Sequence, residues 1–150
     1  MQKKWIPSGY NVVTPYLTVK DAAGLINFIE KTFDGTSTEC MKTDDGKVGH
    51  AEIRIGDSVI MTGEASEEWK QMPASLYIYV EDCDLYYHRA LKNGATSLRK
   101  PADQFYGDRS GGVQDQWGNC WWMATRKETL SHQELQKRID QMKKEPALKK

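Results

Sequence analysis

The sequence repeats one pattern of residues twice, with a period of about 60 residues. Val19-Lys20-Asp21 in the first copy corresponds to Val80-Glu81-Asp82 in the second. Three further pairs correspond: Gly35 with Gly94, Gly56 with Gly118, and Met61 with Met123. A period of this length with only two copies does not fit a solenoid. The repeat therefore predicts two copies of one larger structural unit.

Each copy has the pattern of a strand, then a helix, then three more strands. Asp21 and Asp82 are suited to begin the two helices as N-caps, and glycine-containing turns separate the later strands. The predicted strands are 12–19, 37–43, 47–55, 58–63, 75–80, 96–101, 109–114 and 119–125, and the predicted helices are 22–33, 83–93 and 130–145.

The fold class that follows is α+β, with a single domain over residues 1–150 built from two βαβββ modules. Module one covers about 10–64, a linker about 65–74, and module two about 75–126, before a C-terminal helix at about 130–145. A four-stranded sheet with one helix has one face uncovered, and we expect the other module to cover it.

The C-terminal helix has clear start signals. Ser131 and Glu134 fit a capping box, and Leu135, Ile139 and Met142 form one narrow apolar stripe. This stripe is expected to dock either on its own domain or on a second subunit.

Composition excludes several classes of function. Basic and acidic residues number 21 each, so there is no excess of positive charge for general nucleic-acid binding. The three cysteines show no CxxC pairing and indicate free thiols in a reducing cytoplasm. The first residues contain no apolar segment typical of a signal peptide, and no apolar run has the length of a membrane span. We therefore expect a cytoplasmic protein with no membrane and no nucleic-acid partner.

Polar side chains alternate along the third predicted strand. His50, Glu52 and Arg54 share one face, since successive residues of a strand point to opposite sides. His50 and Glu52 are candidate catalytic residues, as a general base with its orienting carboxylate. Arg54 is a candidate ligand-binding residue. The same face also fits half of a non-standard metal site, or a solvated strand surface.

A loop before the seventh strand combines aromatic and charged residues. Phe105, Tyr106, Asp108 and Arg109 are candidate ligand-binding residues, with Arg109 binding an acidic group and Asp108 holding Arg109 in place. In the alternative interpretation, Asp108 and Arg109 pin the loop and the two aromatic rings fill the core.

Four aromatic residues fall on the strand faces opposite those that pack on the helices. Tyr16, Tyr77, Tyr79 and Trp122 are candidate ligand-binding residues that would line an aromatic cup. A packed core between the sheets is the alternative.

These motifs together resemble the vicinal oxygen chelate superfamily of glyoxalases, bleomycin-resistance proteins and extradiol dioxygenases, and in particular its PhnB-like branch. The resemblance covers about residues 6–140 and implies two sheets curled around a cleft, commonly in a homodimer. The matching segments are Ile6–Tyr10, Thr14–Val19, His50–Met61, Tyr79–Asp82, Asp103–Arg109, Val113–Trp117 and Trp121–Thr125.

The resemblance also implies where metal ligands would lie. In metal-using members four ligands come from the first and last strands of each module, which correspond here to Thr14, Ile60, Ser75 and Trp122. None of these side chains is a good metal ligand. We therefore expect no metal and no cofactor.

Two functions fit this sequence. The first is a small-molecule-binding protein of the glyoxalase and bleomycin-resistance type that sequesters an aromatic or apolar ligand, as a homodimer. The second is a metal-independent enzyme related to glyoxalase, a lyase or isomerase, using His50 and Glu52 or the Asp108–Arg109 loop for acid–base chemistry. A scaffold with a filled cleft is a third reading.

Overall fold

The structure is a computed structural model that describes residues 4–145; residues 1–3 and 146–150, at the ends of the predicted domain, lie outside the described residues. The α+β fold with two βαβββ modules and a C-terminal helix is confirmed. The elements are β1 (Tyr16–Val19), α1 (Ala22–Phe33), β2 (Thr36–Lys42), β3 (Val48–Ile55), β4 (Ser58–Glu64), β5 (Ser75–Tyr79), α2 (Cys83–Lys92), β6 (Thr96–Asp103), β7 (Asp108–Gln114), β8 (Cys120–Arg126) and α3 (His132–Lys144).

The first strand is shorter than its sequence pattern predicts. The apolar and polar alternation begins at residue 12, but β1 begins at Tyr16. Pro15 precedes it, and proline has no N–H to donate to a strand ladder. The Pro15 carbonyl still accepts a hydrogen bond of 2.9 Å from the backbone nitrogen of Met61.

Each module forms its own mixed four-stranded sheet. The first sheet has the order β1-β4-β3-β2 and the second has the order β5-β8-β7-β6. The outer strands β1 and β5 run parallel to β4 and β8, and the remaining pairs are antiparallel. The repeat in the sequence is therefore a repeat of topology.

The predicted caps position the helices. The Asp21 carboxylate accepts from the backbone nitrogen of Gly24 at 3.0 Å, and Asp82 accepts from Leu85 at 3.1 Å. The capping box of α3 forms between Ser131 and Glu134. These side chains satisfy N–H groups that have no partner within the helix.

The two modules join through their helix-covered sides. The ring centroids of Phe28 and Phe33 on α1 lie 6.1 Å and 5.0 Å from that of Trp121 on β8. Phe33 also stacks on Tyr86 of α2 at 6.3 Å. The helix-facing residues of both sheets thereby belong to one continuous hydrophobic core.

This arrangement corrects the expectation that each module covers the uncovered sheet face of the other. The large apolar rings that need burial lie on the helix side, so that side forms the contact between modules. The opposite face of each sheet is not covered by the other module, with Tyr16 50% exposed on one sheet and Tyr79 60% exposed on the other. We call these the first free face and the second free face.

The C-terminal helix is attached loosely. None of the residues of α3 is buried, and its apolar stripe is partly covered. Arg138 donates to the Phe105 carbonyl at 2.8 Å and to the Glu128 carboxylate at 2.7 Å, which ties α3 to the turn between β6 and β7. None of the helices within residues 4–145 is both long enough and apolar enough to span a membrane.

Candidate functional site

The first free face brings His50, Glu52 and Tyr16 together. Glu52 pairs across the ladder with Met61, and Met61 pairs in turn with Tyr16, so the side chains of these residues share one face. His50, two residues before Glu52 on β3, lies on the same face. His50 Nε2 lies 3.6 Å from Glu52 Oε1, and the Tyr16 hydroxyl lies 3.3 Å from His50 Nδ1. The alternation predicted for β3 is also seen on its other side, where Ala51 and Ile53 are fully buried under α1.

A residue outside the predicted set completes this network. Tyr10, in the segment before β1, donates a hydrogen bond of 2.5 Å from its hydroxyl to Glu52 Oε2. That bond lowers the pKa of Glu52 below its ordinary value, although burial opposes the shift. Glu52 therefore stays ionised in neutral solution, with its carboxylate within ion-pair distance of the His50 ring.

Arg54 has a structural contact on the same face. It donates from Nη1 to the Gly9 carbonyl at 3.1 Å, and Gly9 adopts a positive φ of 83°. A side chain at position 9 would start 2.8 Å from the Arg54 guanidinium. Arg54 and Glu52 together hold the N-terminal segment over the first free face.

The second free face is organised around a buried carboxylate. Asp108 is only 2% exposed, and its Oδ2 accepts from the hydroxyl of Tyr77 at 2.8 Å and lies 3.4 Å from that of Tyr79. Its Oδ1 accepts from Arg126 Nε at 2.6 Å. The two tyrosine rings pack edge to face, 5.5 Å apart, with 45% of Tyr77 and 60% of Tyr79 exposed. The second free face is thus an aromatic platform on which buried Asp108 holds the hydroxyl ends of the tyrosines in place.

The predicted pairing of Asp108 with Arg109 is wrong. Adjacent residues of a strand point to opposite faces, and both residues belong to β7. Arg109 lies on the helix side, where it binds Asp84 through two hydrogen bonds of 2.7 Å and 3.0 Å and Asp103 at 3.2 Å. These hydrogen bonds raise the pKa of Arg109. Arg109 therefore ties β7 to the start of α2.

Phe105 and Tyr106 occupy the turn between β6 and β7. Their rings contact edge to face with centroids 5.3 Å apart. The Tyr106 hydroxyl lies 3.3 Å from Ser110 Oγ on the second free face. Burial raises the pKa of the Tyr106 phenol, but its hydrogen bond with Ser110 and the positive charge of Arg99 help to outweigh that effect, and the net pKa is lowered.

A cleft lies at the junction of the modules, and His50 is not part of its wall. It has a volume of about 650 Å³ and runs between the β3–β4 turn and β5, where Tyr77 and Tyr79 form part of its wall. Ligand sites commonly have volumes of roughly 300–1,000 Å³. The cleft therefore adjoins the second free face and not the His50–Glu52 network.

The positions that correspond to metal ligands need one correction. Ile60 pairs with Ile53 and lies on the helix side, whereas Trp122 pairs with Gly112 on the free face. Met61, not Ile60, occupies the free-face position equivalent to Trp122. Gly56 and Gly118 are 62 residues apart, whereas Val19 and Val80 are 61 residues apart. Aligning the modules on these glycines therefore shifts the predicted equivalence by one residue. Among residues 4–145 no group of three or more His, Cys, Asp or Glu side chains is placed to hold a metal ion.

Sequence reasoning missed Tyr10, Arg99, Ser110 and Arg126. Ser110 and Arg126 follow the alternation of β7 and β8, so a stricter count of strand faces finds them. Tyr10 contacts the first free face from outside the strands, and Arg99 lies on β6, a strand without regular alternation of apolar and polar residues. Their partners are remote in the sequence, and only the fold brings them together.

Comparison with known proteins places this geometry in a wider group. The family described as Glyoxalase/Bleomycin resistance protein/Dioxygenase superfamily matches residues 10–123. A relative from Mycobacterium bovis, named uncharacterized protein Mb0911c, is 32% identical over 135 residues, which span 83% of this chain and 89% of the relative.

Solved structures share the fold at low identity. TioX from Micromonospora sp. ML1 matches with a TM-score of 0.67 at 18% identity, over 77% of this chain and 98% of TioX. A PhnB protein from Bacillus cereus, described as a putative 3-demethylubiquinone-9 3-methyltransferase, matches with a TM-score of 0.64 at 20% identity, over 77% and 99% of the two chains.

Proposed function

We propose that this chain, which belongs to the Glyoxalase/Bleomycin resistance protein/Dioxygenase superfamily, is a small-molecule-binding protein that holds an aromatic or apolar ligand on its second free face. The observation that carries the proposal is the pair of exposed rings of Tyr77 and Tyr79, anchored on buried Asp108 beside the cleft at the module junction.

The physical case rests on preorganisation. Exposed aromatic rings are normally mobile, and a ligand that orders them loses binding energy in doing so. Here Asp108 accepts a hydrogen bond from the Tyr77 hydroxyl. Burial, together with this donated hydrogen bond, raises the pKa of Tyr77, so the phenol stays protonated as a donor. A flat ligand can then stack on rings that are already in place.

A thermal-shift screen with planar aromatic compounds, aromatic antibiotics and 2-oxoaldehydes tests this proposal. A ligand present at 100 times its dissociation constant raises the free energy of unfolding by about 2.7 kcal/mol. Tyr79→Ala removes the shift if the platform binds the ligand. Trp69→Ala is the matched control, because Trp69 is 69% exposed but lies in the segment between the modules. A shift that survives Tyr79→Ala contradicts the proposal.

A second function is favoured by the network of Tyr16, His50 and Glu52. In this alternative the chain is a metal-independent lyase or isomerase, with His50 as the base and Glu52 as the carboxylate that orients it. His50→Ala should then abolish turnover of a compound found in the screen without weakening its binding. Turnover in the presence of a chelator distinguishes this enzyme from a metal-dependent one.

We also propose that the chain acts as a homodimer. The first free face carries Glu39, Glu52 and Arg54, a formal charge of −1, and the second carries Asp108, Arg99 and Arg126, a formal charge of +1. The two faces of one chain do not contact each other, but the first face of one copy is complementary in charge to the second face of another. The three free cysteines support a cytoplasmic location.

A further inference from the structure

We propose that the second free face contains a subsite for an acidic group, a carboxylate or a phosphoryl group, formed by Arg99 and Tyr106 and held in place by Ser110. This inference rests on the proposed function and deepens it, because it makes the ligand an aromatic acid. The rings of Tyr77 and Tyr79 would take its flat part, and Arg99 would take its acidic group.

Arg99 is held in a defined position. Its Nη2 donates to Ser110 Oγ at 2.5 Å, and Ser110 is fully buried. Its guanidinium lies 5.2 Å from the ring centroid of Trp122, on the aromatic face. These two contacts fix both the direction and the plane of the Arg99 guanidinium.

Gly112 makes this stack possible. A Cβ atom at position 112 would lie 2.3 Å from two ring atoms of Trp122, so only glycine leaves room for the ring to lie flat across β7. The flat ring in turn presents its face to Arg99. The glycine, the tryptophan and the arginine therefore form three layers on the free face.

The charge of Arg99 is not balanced within the described part of the chain. Four of the six arginines bind carboxylates: Arg89, Arg109, Arg126 and Arg138. Arg99 has no carboxylate within ion-pair distance among residues 4–145. Asp108, the acid on the same face, is already bound by Arg126. An ordered guanidinium beside an aromatic platform is thus free to bind an anion.

The chemistry of the guanidinium defines which ligand it binds. A guanidinium has five N–H donors in a planar fork that matches the oxygens of a carboxylate or a phosphoryl group. Ser110 occupies one of these donors, and the Tyr106 hydroxyl, 3.3 Å from Ser110 Oγ, supplies a further donor at the same place. An uncharged amide of the same shape lacks the charge that Arg99 recognises.

Isothermal titration with three matched probes tests the subsite: 1-naphthoate, 1-naphthyl phosphate and the uncharged 1-naphthamide. We expect the two acids to bind the native protein at least about tenfold more tightly than the amide, since a charge-assisted hydrogen bond is worth about that factor. Arg99→Gln should bring the ratio of acid affinity to amide affinity down to about one. Lys100→Gln, which removes one positive charge from the next exposed residue, should keep the preference.

The outcomes separate the subsite from the proposed function. Equal binding of acids and amide by the native protein overturns the subsite, as does a preference that survives Arg99→Gln, and in both cases the aromatic platform stands. If neither the acids nor the amide bind, both proposals fall. Arg99→Lys, which keeps the charge and removes the fork, should retain only part of the preference.

Discussion

The hydroxyl of Tyr77 lies 2.8 Å from a carboxylate oxygen of Asp108, a residue 31 positions later that is almost completely buried. Arg126 approaches the other oxygen of the same carboxylate at 2.6 Å. The first strand of module two and its last two strands are therefore joined through one side chain. A buried charge is tolerated here because each of its oxygens has a hydrogen-bond donor.

Asp108→Asn is expected to lower the free energy of unfolding by about 1–3 kcal/mol, since one of the two accepting oxygens becomes an NH2 group that faces another donor. Urea denaturation of both proteins measures the difference. Asp103→Asn is the control, because the Asp103 side chain is 76% exposed in its pair with Arg109 and should change stability little. Equal effects of the two substitutions would show that the Asp108 network does not stabilise the fold.

Tyr10→Phe should change how stability depends on pH. The hydrogen bond from Tyr10 lowers the pKa of Glu52, so the ionised carboxylate stabilises the fold. This contribution is complete at pH values above the ordinary pKa of glutamate, about 4.3. It is lost as the pH falls through the lowered pKa. The variant should therefore be less stable than the native protein at neutral pH, and the difference should disappear in acid.

Urea denaturation of the two proteins between pH 3 and pH 8 provides the measurement. Tyr87→Phe is the matched control, since the Tyr87 hydroxyl donates to the uncharged Ser97 Oγ at 2.5 Å. Its effect should not depend on pH in the acidic range. A Tyr10→Phe difference that is constant across the range would refute the role given to Glu52.

Gly112→Ala is expected to displace the Trp122 ring and to lower the free energy of unfolding by about 1–3 kcal/mol, because the added methyl overlaps the ring. Thermal and urea unfolding measure the change. Gly49→Ala is the control: its Cβ would lie 3.0 Å from the flexible Thr43 methyl group. An equal effect of the two substitutions would contradict the close packing of Gly112 on Trp122.

Much of the fold was predictable because its signals are local. Asp21, Asp82 and Ser131 mark the helix starts with side chains that cap the next turn, and the structure confirms each. The repeat predicted that both modules have the same succession of elements along the chain, as the structure confirms. The way in which the modules meet was not predictable, since it depends on contacts between Phe33 and Trp121, which are far apart in the sequence.

The candidate site was predictable only within single strands. Alternation placed His50 and Glu52 on one face, as the structure confirms. Asp108 and Arg109 were predicted to lie in a loop, but both belong to β7, where neighbouring residues point to opposite faces. The long-range partners decide what each group can do, as Tyr10 does for Glu52, and no local pattern reports them.

The two free faces lead to a prediction about assembly. If the second free face contacts the first free face of another copy, Tyr79→Glu should weaken the dimer by more than about tenfold, because it places a charge where an aromatic ring would be buried. Sedimentation equilibrium at micromolar concentration measures the dissociation constant. Leu85→Glu is the matched control, since Leu85 is also a large exposed apolar residue, at 45%, but lies on α2 away from the free faces. A native protein that sediments as a monomer, or a control that weakens the dimer as much as Tyr79→Glu, would rule out this arrangement.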